Sequence, residues 1–465
     1  MKRKLPQVSP LTRRLSTYMA GALNRRLPAA VAERAKHSLI DTFGAMISGQ
    51  RLLPGKRAVS YVKPLIAARE AGVVGTGIVT SALYATLANG MCAHADECDD
   101  THPPSVAHPG CGVVPAALAI AERERLPGEL FLRAMVLGYV VCARTVMAIK
   151  PRTRRTPAHD FSAAGHDFGA HGQLFGAGAA AGALLGLNAR EMRYLLSYCA
   201  SQAAGLFTNI RDSEHVEKAY AASGMPAHNG VVAALMVKQG FTGVEDVFSG
   251  KPNYISIFST HPDRAALVRG LGRDYEIMHG GIKRWTVGGP AQGPLHVLYE
   301  LIQQHGIKAG DVEKLTARIP DKELFFVNNR DMPDISLQYL LAVMLIDGTL
   351  TFEAAHDFRR MRDPRVRRLA RRVEAVGDAS LTDPLRRWRC VMEVRLKDGR
   401  RLVHKTMAAK GTAENPLTRQ ELEEKAYALM APTLGRQRSR TLMTALYNIE
   451  HVQDMRTLRK LYTVR

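Results

Sequence analysis

The sequence predicts a mainly α protein, in which a smaller α+β lid domain is inserted into a large all-helical domain. Three observations support this fold class. Apolar residues recur at helical spacing through the first 275 residues, strand-like alternation appears only after them, and a last helical segment follows the strands. The 465 residues are 46% hydrophobic, which is enough for a large core. We predict a helical domain at 1–277 and 416–465 and a lid domain at 278–415.

The first helices show amphipathic spacing, with apolar residues three or four positions apart at Val31, Ala35, Leu39, Phe43 and Met46. Another helix is predicted from Thr80 to about Gly90. Two more occupy residues 112–149, and the second of them is apolar on most faces, which predicts deep burial. The basic segment 150–157 is predicted to be an irregular loop.

Between these helices lies the stretch HADECDDTHPPSVAHPGCGVVPAALAIAE, residues 94–122. Its first half carries titratable groups of three kinds, namely Asp96, Glu97, Asp99, Asp100, His94, His102, His108, Cys98 and Cys111. Pro103, Pro104 and Pro109 exclude a regular helix there, so a loop is predicted to lead into a buried helix at Val113. A loop this rich in titratable groups, next to a rigid helix, is typical of a catalytic site.

A metal site is the alternative interpretation of the same stretch. Its possible ligands are Cys92, His94, Asp96, Cys98, His102, His108 and Cys111. Their spacing contains no tight C-x-x-C or H-x-x-x-H pair, and the ligand types mix soft and hard donors. We therefore predict no metal.

The segment 165–187 contains the string G-x-G-x-x-x-G at Gly176, Gly178 and Gly182. A dinucleotide-binding motif needs a strand before the glycines and an acid about 20 residues after them, and the sequence shows neither. The string therefore predicts a small-residue helix that packs closely in the core.

Strand patterns mark the second region. Residues 315–319 alternate between apolar and polar side chains, which predicts a strand. Residues 389–407 predict a hairpin around Asp398-Gly399, a type I′ turn signal. Residues 334–357, between these strands, are predicted to be helical. Thr418 and Glu421 form a capping box that starts the C-terminal helical segment.

Charge and cysteine content limit the function classes. The 64 Lys and Arg against 43 Asp and Glu give a net charge of +21, which fits a polyanion-binding protein or an enzyme of anionic substrates. The densest basic run, 359–372, lacks the interleaved aromatics that stack bases, so nucleic acid is not expected.

Six cysteines make no disulfide scaffold, and we see neither a secretory signal nor a membrane span. A cytoplasmic protein is expected.

Five stretches, in order along nearly the whole chain, resemble the MmgE/PrpD family, which includes 2-methylcitrate dehydratases, cis-aconitate decarboxylases and an iminodisuccinate epimerase. They are HADECDDTH…HPG, GHDFGAHGQLFGAGAAAGALLGL, Lys218 with the Gly-rich stretch after it, IKRWTVGGPAQGPLHVL and DISLQYLLAVMLIDG. The resemblance implies an active site between the helical domain and the lid, a homodimer, and no metal or organic cofactor.

The resemblance also implies site residues, which are Glu97 and Asp100 from the acidic cluster, His108, His166, Lys218, Lys283 and Tyr339. Glu97 stands where the family often has Asp. The second histidine is ambiguous, because Asp167 holds the ungapped position and His171 is near His166. Dehydratases of the family have Cys-Cys-Arg and then His after the lid lysine, where this chain has residues 287–289 and Gln292. A changed substrate-facing wall argues against methylcitrate itself.

Each of these residues has a functional and a structural interpretation. His108 would be the base or acid, oriented by Glu97, Asp99 or Asp100, or it would only cap a helix. Lys218 and Lys283 would bind substrate carboxylates, with Trp285 and Gln292 at the pocket wall. Tyr339 would donate a proton or bind a carboxylate, or it would be a core aromatic.

The resulting function prediction is a cofactor-independent lyase that dehydrates a small, 2-methylcitrate-like hydroxy di- or tricarboxylate by general acid/base catalysis. The alternative is a decarboxylase or an epimerase of a related polycarboxylate, such as cis-aconitate or iminodisuccinate. Outside the enzymes, the rival is a polyanion-binding protein driven by the +21 charge.

Overall fold

The computed structural model describes residues 8–65, 68–150 and 165–464 and is mainly α-helical, as the sequence predicts. Apart from Lys150, the loop predicted at 150–157 lies outside the described residues. The helices before residue 280 are α1 (Pro10–Ala20), α2 (Ala29–Gly49), α3 (Leu53–Val62), α4 (Ala82–Ala93), α5 (Pro109–Arg123), α6 (Gly128–Ile149), α7 (Phe168–Leu184), α8 (Ala189–Ser201), α9 (Val216–Ala219), α10 (Met225–Lys238) and α11 (Tyr254–Phe258). A short antiparallel pair, β1 (Ala71–Gly72) and β2 (Val79–Thr80), precedes α4.

Close helix packing explains the glycine string. A Cβ at Gly176 in α7 would lie 2.6 Å from the carbonyl oxygen of Gly138 in α6, and one at Gly178 would lie 2.8 Å from Cys199 Sγ in α8. These glycines let the helix backbones approach one another, which confirms the prediction of a small-residue packing helix.

Helix α6 corrects the expectation that no segment could span a membrane. Among the described helices it is the one with sufficient length and apolar character, and most of its residues are buried within the protein. Its composition is therefore that of a core helix.

The second region combines helices with a four-stranded sheet. Its elements are α12 (Gly289–His305), β3 (Val312–Pro320), α13 (Asp321–Val327), α14 (Leu337–Asp347), α15 (Phe352–Ala355), α16 (Pro364–Ala370), β4 (Val373–Asp378), β5 (Cys390–Leu396) and β6 (Arg401–Thr406). The strand order is β4-β3-β5-β6, with β3 and β4 parallel and the other pairs antiparallel. The predicted strand at 315–319 and the hairpin are confirmed. The turn is not type I′, because only Gly399 of the pair has a positive φ, at 88°.

The last helices are α17 (Arg419–Leu434), α18 (Arg436–Tyr447) and α19 (Arg459–Tyr462). The capping box of Thr418 and Glu421 at the start of α17 is confirmed. Helix α17 packs on α2, where Lys425 Nζ lies 2.6 Å from Asp41 Oδ1. The C-terminal segment thus shares its core with the first helices.

Two large clusters of buried apolar residues result from this arrangement. The first core combines residues from Leu15 to Ile282 with residues from Leu417 to Tyr462, and the second core runs from Trp285 to Leu396. The domain boundaries and the lid function of the second region stay predictions.

Candidate active site

A cavity of about 220 Å³ lies where the two cores meet. Its described lining includes His94, Glu97, Thr101, His108, Asp167, Gln173, Asn209, His215 and Lys218 from the first region, and Lys283, Gly288, Gly289, Lys322, Glu323, Arg330, Arg387 and Trp388 from the second region and the segment before it. The predicted loop 94–108 therefore forms one wall.

The loop is held in place at several points. Thr101 and Gly281 exchange backbone hydrogen bonds of 2.9 and 2.7 Å, and Lys425 Nζ donates to the carbonyl oxygen of Cys98 at 3.1 Å. The following helix begins at Pro109, four residues before the predicted start at Val113. Proline is tolerated at the first helical position because it needs no N–H partner there.

Two lysines meet the carboxylate of Glu97. Lys218 Nζ donates to Glu97 Oε1, while Lys283 Nζ lies 3.5 Å from Glu97 Oε2 and donates to the Glu97 carbonyl oxygen at 2.9 Å. Burial would raise the pKa of Glu97, but the charges of Lys218 and Lys283 outweigh it and hold the pKa below its ordinary value. Burial would likewise lower the pKa of Lys218, and Glu97 more than offsets this, so that its pKa is raised. Glu97 and Lys218 are therefore both charged at neutral pH.

Asp99 joins two imidazoles behind the lysines. Its Oδ2 lies 2.7 Å from His94 Nδ1, and its Oδ1 lies 3.4 Å from His108 Nδ1 and 3.6 Å from Lys283 Nζ. Burial opposes ionisation of Asp99, but the neighbouring histidines hold its pKa well below the usual range. The carboxylate therefore accepts, and His94 donates from Nδ1.

The tautomer of His108 follows from a backbone contact. Its Nδ1 lies 2.6 Å from the carbonyl oxygen of Asp100, which can only accept, so Nδ1 carries the proton. The Nε2 atom of His108 remains for the cavity. Burial lowers the pKa of His94, which favours a neutral imidazole there. The ring centroids of His94 and His108 lie 5.2 Å apart.

Asp100, predicted as catalytic, does not belong to the described lining. Its Oδ1 accepts from Gly110 N at 2.9 Å and its Oδ2 from the Tyr139 hydroxyl at 2.7 Å. Burial raises the pKa of Asp100 to about 6. The carboxyl group therefore anchors the first turn of α5, and Asp99 is the acid that contacts the imidazoles.

Two helices begin at this cavity. His108 is the N-cap of α5, and Asp167 is the N-cap of α7, where its side chain accepts from Gly169 N and Ala170 N at 3.0 and 3.3 Å. Helix N-termini carry partial positive charge, which favours anions. At α7 this end already holds the Asp167 carboxylate, so the cavity offers an anionic ligand the start of α5 together with Lys218 and Lys283.

Comparison with known proteins agrees with the resemblance. Residues 13–266 match the MmgE/PrpD N-terminal domain, and residues 285–449 match the MmgE/PrpD C-terminal domain. The chain belongs to the MmgE/PrpD family. The C-terminal match of this MmgE/PrpD chain extends into α17 and α18, although these helices pack in the first core.

Curated relatives of this MmgE/PrpD protein are decarboxylases by name. It is 25% identical to human (Homo sapiens) cis-aconitate decarboxylase in an alignment of 469 positions, gaps included, that covers 96% of this chain and 93% of the relative. The corresponding enzyme of Mus musculus is 24% identical over 97% of this chain and 93% of the relative. A cis-aconitate decarboxylase-like protein of Aspergillus oryzae, oryM, is 24% identical over 59% of this chain and 58% of the relative.

Three residues predicted for the site of this MmgE/PrpD protein lie outside the described lining. Trp285 is buried in the second core. Gln292 accepts from the backbone N–H groups of Arg284 and Trp285 and donates to the carbonyl oxygens of Trp285 and Val287, so it shapes the segment after Lys283. The Tyr339 hydroxyl donates to the Ala354 carbonyl oxygen at 2.6 Å, and burial raises its pKa to about 12. The core interpretation therefore fits Tyr339.

Neither candidate for the second histidine belongs to the described lining. His171 is fully buried, and its Nδ1 lies 3.0 Å from the hydroxyl oxygen of Tyr254. Burial lowers the pKa of His171 to about 3. The ring of His166 packs edge-on against Phe258, with centroids 5.1 Å apart. The residues of this segment that line the cavity are Asp167, Gly169 and Gln173.

The sequence arguments missed His215 and Trp388. Both line the cavity, and both are non-glycine residues with a positive φ, of 58° and 65°. His215 directly precedes α9, which carries Lys218, and its Nδ1 lies 4.0 Å from Asp334 Oδ2. No spacing or composition signal marks either residue, because strained backbone appears only in the folded chain.

The metal interpretation can be tested against geometry. Within the described part of the chain, ligand atoms of His94, Asp99 and Cys111 lie within 4.8 Å of one another. Lys283 already lies 3.6 Å from Asp99 Oδ1, and burial keeps the pKa of the Cys111 thiol well above its ordinary value. These residues fit a divalent cation poorly, and elemental analysis of the purified protein tests the prediction of no metal.

An ion pair behind the site links the loop to the second region. His356 Nε2 lies 3.1 Å from Asp96 Oδ2, and His356 Nδ1 lies 2.7 Å from the Phe352 carbonyl oxygen. Burial alone would lower the pKa of His356, but Asp96 raises it to about 9. The folded state therefore gains stability that is fully present below pH about 6.5 and is lost as the pH rises through about 9.

Replacing His356 by glutamine is expected to lower the free energy of unfolding by about 3 kcal/mol at pH 6, because one pKa unit corresponds to about 1.4 kcal/mol. The difference should shrink as the pH approaches 10. Denaturant unfolding across this pH range measures it. The exposed pair of His279 and Asp274, 2.8 Å apart, provides the control, since His279→Gln should change little. A pH-independent loss in His356→Gln would contradict the ion-pair explanation.

Proposed function

We propose that this protein is a cofactor-independent lyase that decarboxylates a tricarboxylate of the cis-aconitate type. The observation that carries the proposal is the meeting of Lys218, Lys283, His94 and His108 at one cavity. Membership of the MmgE/PrpD family and the two mammalian relatives, similar over nearly their whole length, support the same reaction class.

The chemistry needs cations and one acid. In cis-aconitate, one carboxylate sits on a methylene group next to a carbon–carbon double bond, and that bond is conjugated with another carboxylate. Breaking the bond between this carboxylate and the methylene carbon releases carbon dioxide. The electron pair shifts through the double bond towards the conjugated carboxylate, and a proton must then reach the former alkene carbon. Fixed positive charge stabilises the intermediate, and a general acid supplies the proton.

The residues of the cavity match these needs. An ammonium group has three N–H donors, so Lys218 keeps donors for a substrate carboxylate beyond its contact with Glu97. Lys283 would stabilise the charge that develops on the conjugated carboxylate. His108, held as a donor at Nδ1, would supply its proton from Nε2 when protonated. Glu97 would keep both lysines in position.

A second candidate is the dehydration of a hydroxy polycarboxylate, which we proposed from the sequence. It is favoured by the presence of two imidazoles on one carboxylate, because dehydration requires both a base for the carbon acid and an acid for the leaving hydroxyl. His94, favoured as neutral, and His108 would be that pair. Decarboxylation requires only one of them.

Proton NMR in heavy water separates the two reactions. The purified protein is incubated with cis-aconitate, citrate and methylcitrate. Decarboxylation of cis-aconitate should produce terminal-alkene signals and one deuterium at the newly protonated carbon, together with carbon dioxide. Dehydration should produce an internal alkene from a hydroxy acid without carbon dioxide. An unchanged spectrum with every substrate would contradict the lyase proposal, and salt-dependent binding of a polyanion would then favour the outside alternative.

A further inference from the structure

We propose that the indole N–H of Trp388 and the N-terminus of α12 form a second anion-binding subsite, which holds a substrate carboxylate away from the lysine pair. The inference deepens the proposed function and rests on it. It assigns a role to a residue for which the sequence arguments gave none.

The first observation is the start of α12. This helix has 17 residues, and no described side chain caps its N-terminus. Its N-cap residue Gly288 and its first residue Gly289 both line the cavity. Pro290 has no N–H, and Ala291 N donates to the Gly288 carbonyl oxygen at 3.0 Å, so the Gly289 N–H is the donor at this end without a described acceptor. The helix dipole makes this end attractive to an anion.

The second observation is independent and concerns Trp388. Only 1% of its surface is exposed, yet its Nε1 has no hydrogen-bond acceptor among the described residues. Buried polar groups nearly always have a partner, so such an N–H indicates an acceptor that arrives with a ligand. Trp388 also lines the cavity.

The indole N–H of Trp388 and the start of α12 are adjacent in the structure. A Cβ added at Gly289 would lie 2.9 Å from Trp388 Nε1, so the indole nitrogen sits directly over the first residue of α12. Trp388 reaches this position with a φ of 65°, a conformation that a bulky side chain rarely adopts. The surrounding structure thus holds the indole N–H at the helix start, where glycine lets the indole approach the helix backbone closely.

A carboxylate fits these donors. Its two oxygens accept only, and they can take the indole N–H and a helix N–H together. The two arginines that flank Trp388 in the chain are both paired, Arg387 with Glu323 at 2.8 Å and Arg389 with Asp383 at 2.9 Å, so their charges are compensated. The lysine pair would hold one end of a tricarboxylate, and Trp388 with Gly289 would hold a further carboxylate.

The chain has two tryptophans, which makes the subsite measurable. In a Trp285→Phe protein, Trp388 is the remaining fluorophore, and tricarballylate, which lacks the double bond needed for the proposed reaction, should change its emission. The affinity for tricarballylate, measured by calorimetry, should fall about tenfold or more in Trp388→Phe, as expected for loss of a hydrogen bond to a charged group. Glutarate, which lacks the central carboxylate, should lose less affinity.

Trp285→Phe is the matched control, since Trp285 lies in the second core outside the described lining, and it should bind both acids like the wild type. Gly289→Ala provides a second variant if Trp388→Phe folds poorly, because its methyl group would crowd Nε1. Equal losses for tricarballylate and glutarate, or no loss in either variant, would overturn the subsite. Absence of binding of any polycarboxylate to the wild type would instead overturn the proposed function as well.

Discussion

Replacing Lys283 by methionine is expected to lower kcat/KM for the proposed substrate by about 10³-fold, the upper range for loss of one preorganised donor to a developing anion. Lys283 is 1% exposed, and its Nζ lies within 3.6 Å of Glu97 and Asp99 oxygens. Because the ammonium is held rigidly in a buried position, water cannot replace its charge. Most of the loss should appear in kcat, since the charge it stabilises develops during the reaction.

The matched control is Lys322→Met. Lys322 also lines the cavity, but its side chain is 50% exposed and its ammonium lies 3.7 Å from Asp321. Solvent screens such a charge, so the expected change in kcat/KM is less than about threefold. Steady-state kinetics on both variants, with thermal unfolding to show that each is folded, decides the matter. If the two variants lost activity equally, Lys283 would have no special role.

Replacing His108 by glutamine is expected to lower kcat by about 10²- to 10⁴-fold, the usual worth of a general acid or base. Glutamine can retain a hydrogen bond to the Asp100 carbonyl oxygen, so the loop should keep its shape. The imidazole Nε2, which takes no part in that hydrogen bond, is lost. The variant should also lose the part of the pH–rate profile that reports this imidazole, a change that a purely structural role would not produce.

His228→Gln serves as the control for this second prediction. His228 lies on α10 and lines a separate surface groove with Tyr61 and Tyr220. Its replacement should leave both kcat and the pH–rate profile unchanged. His94→Gln distinguishes the two reactions, because dehydration should lose activity in both histidine variants, whereas decarboxylation should depend chiefly on one. A His108→Gln enzyme with the wild-type profile would remove His108 from the chemistry.

The elements of the fold could be predicted largely from the sequence because they depend on local patterns. Helical spacing placed α2, strand alternation placed β3 and the hairpin of β5 and β6, and the capping box placed the start of α17. The start of α5 was placed four residues late because proline was treated only as a helix breaker. The hairpin turn type was wrong because Leu396 N donates to the Arg400 carbonyl oxygen at 2.9 Å, so three residues, 397–399, connect the strands where a type I′ turn needs two.

Residues of the candidate site could be predicted where a family motif contains an acidic, histidine or lysine side chain. The loop acids, His108, Lys218 and Lys283 were chosen in this way, and the structure brings Glu97, His108 and both lysines to one cavity. The wall residues could not be chosen so. Trp285 and Gln292 are near Lys283 in sequence, but Trp285 packs in the second core and Gln292 hydrogen-bonds to the backbone of its own segment. Trp388 lines the cavity instead.

By itself, the sequence determined which segments are helical or extended, that the charged loop precedes a buried helix, and which family the chain resembles. Only the tertiary structure decided which acid contacts the imidazoles, which tryptophan faces the cavity and where the lysines meet. The reason is physical: secondary structure follows from spacings of a few residues, whereas the site joins residues more than a hundred positions apart, such as Glu97 with Lys218 and Lys283. Their meeting depends on how whole elements pack, which no local pattern encodes.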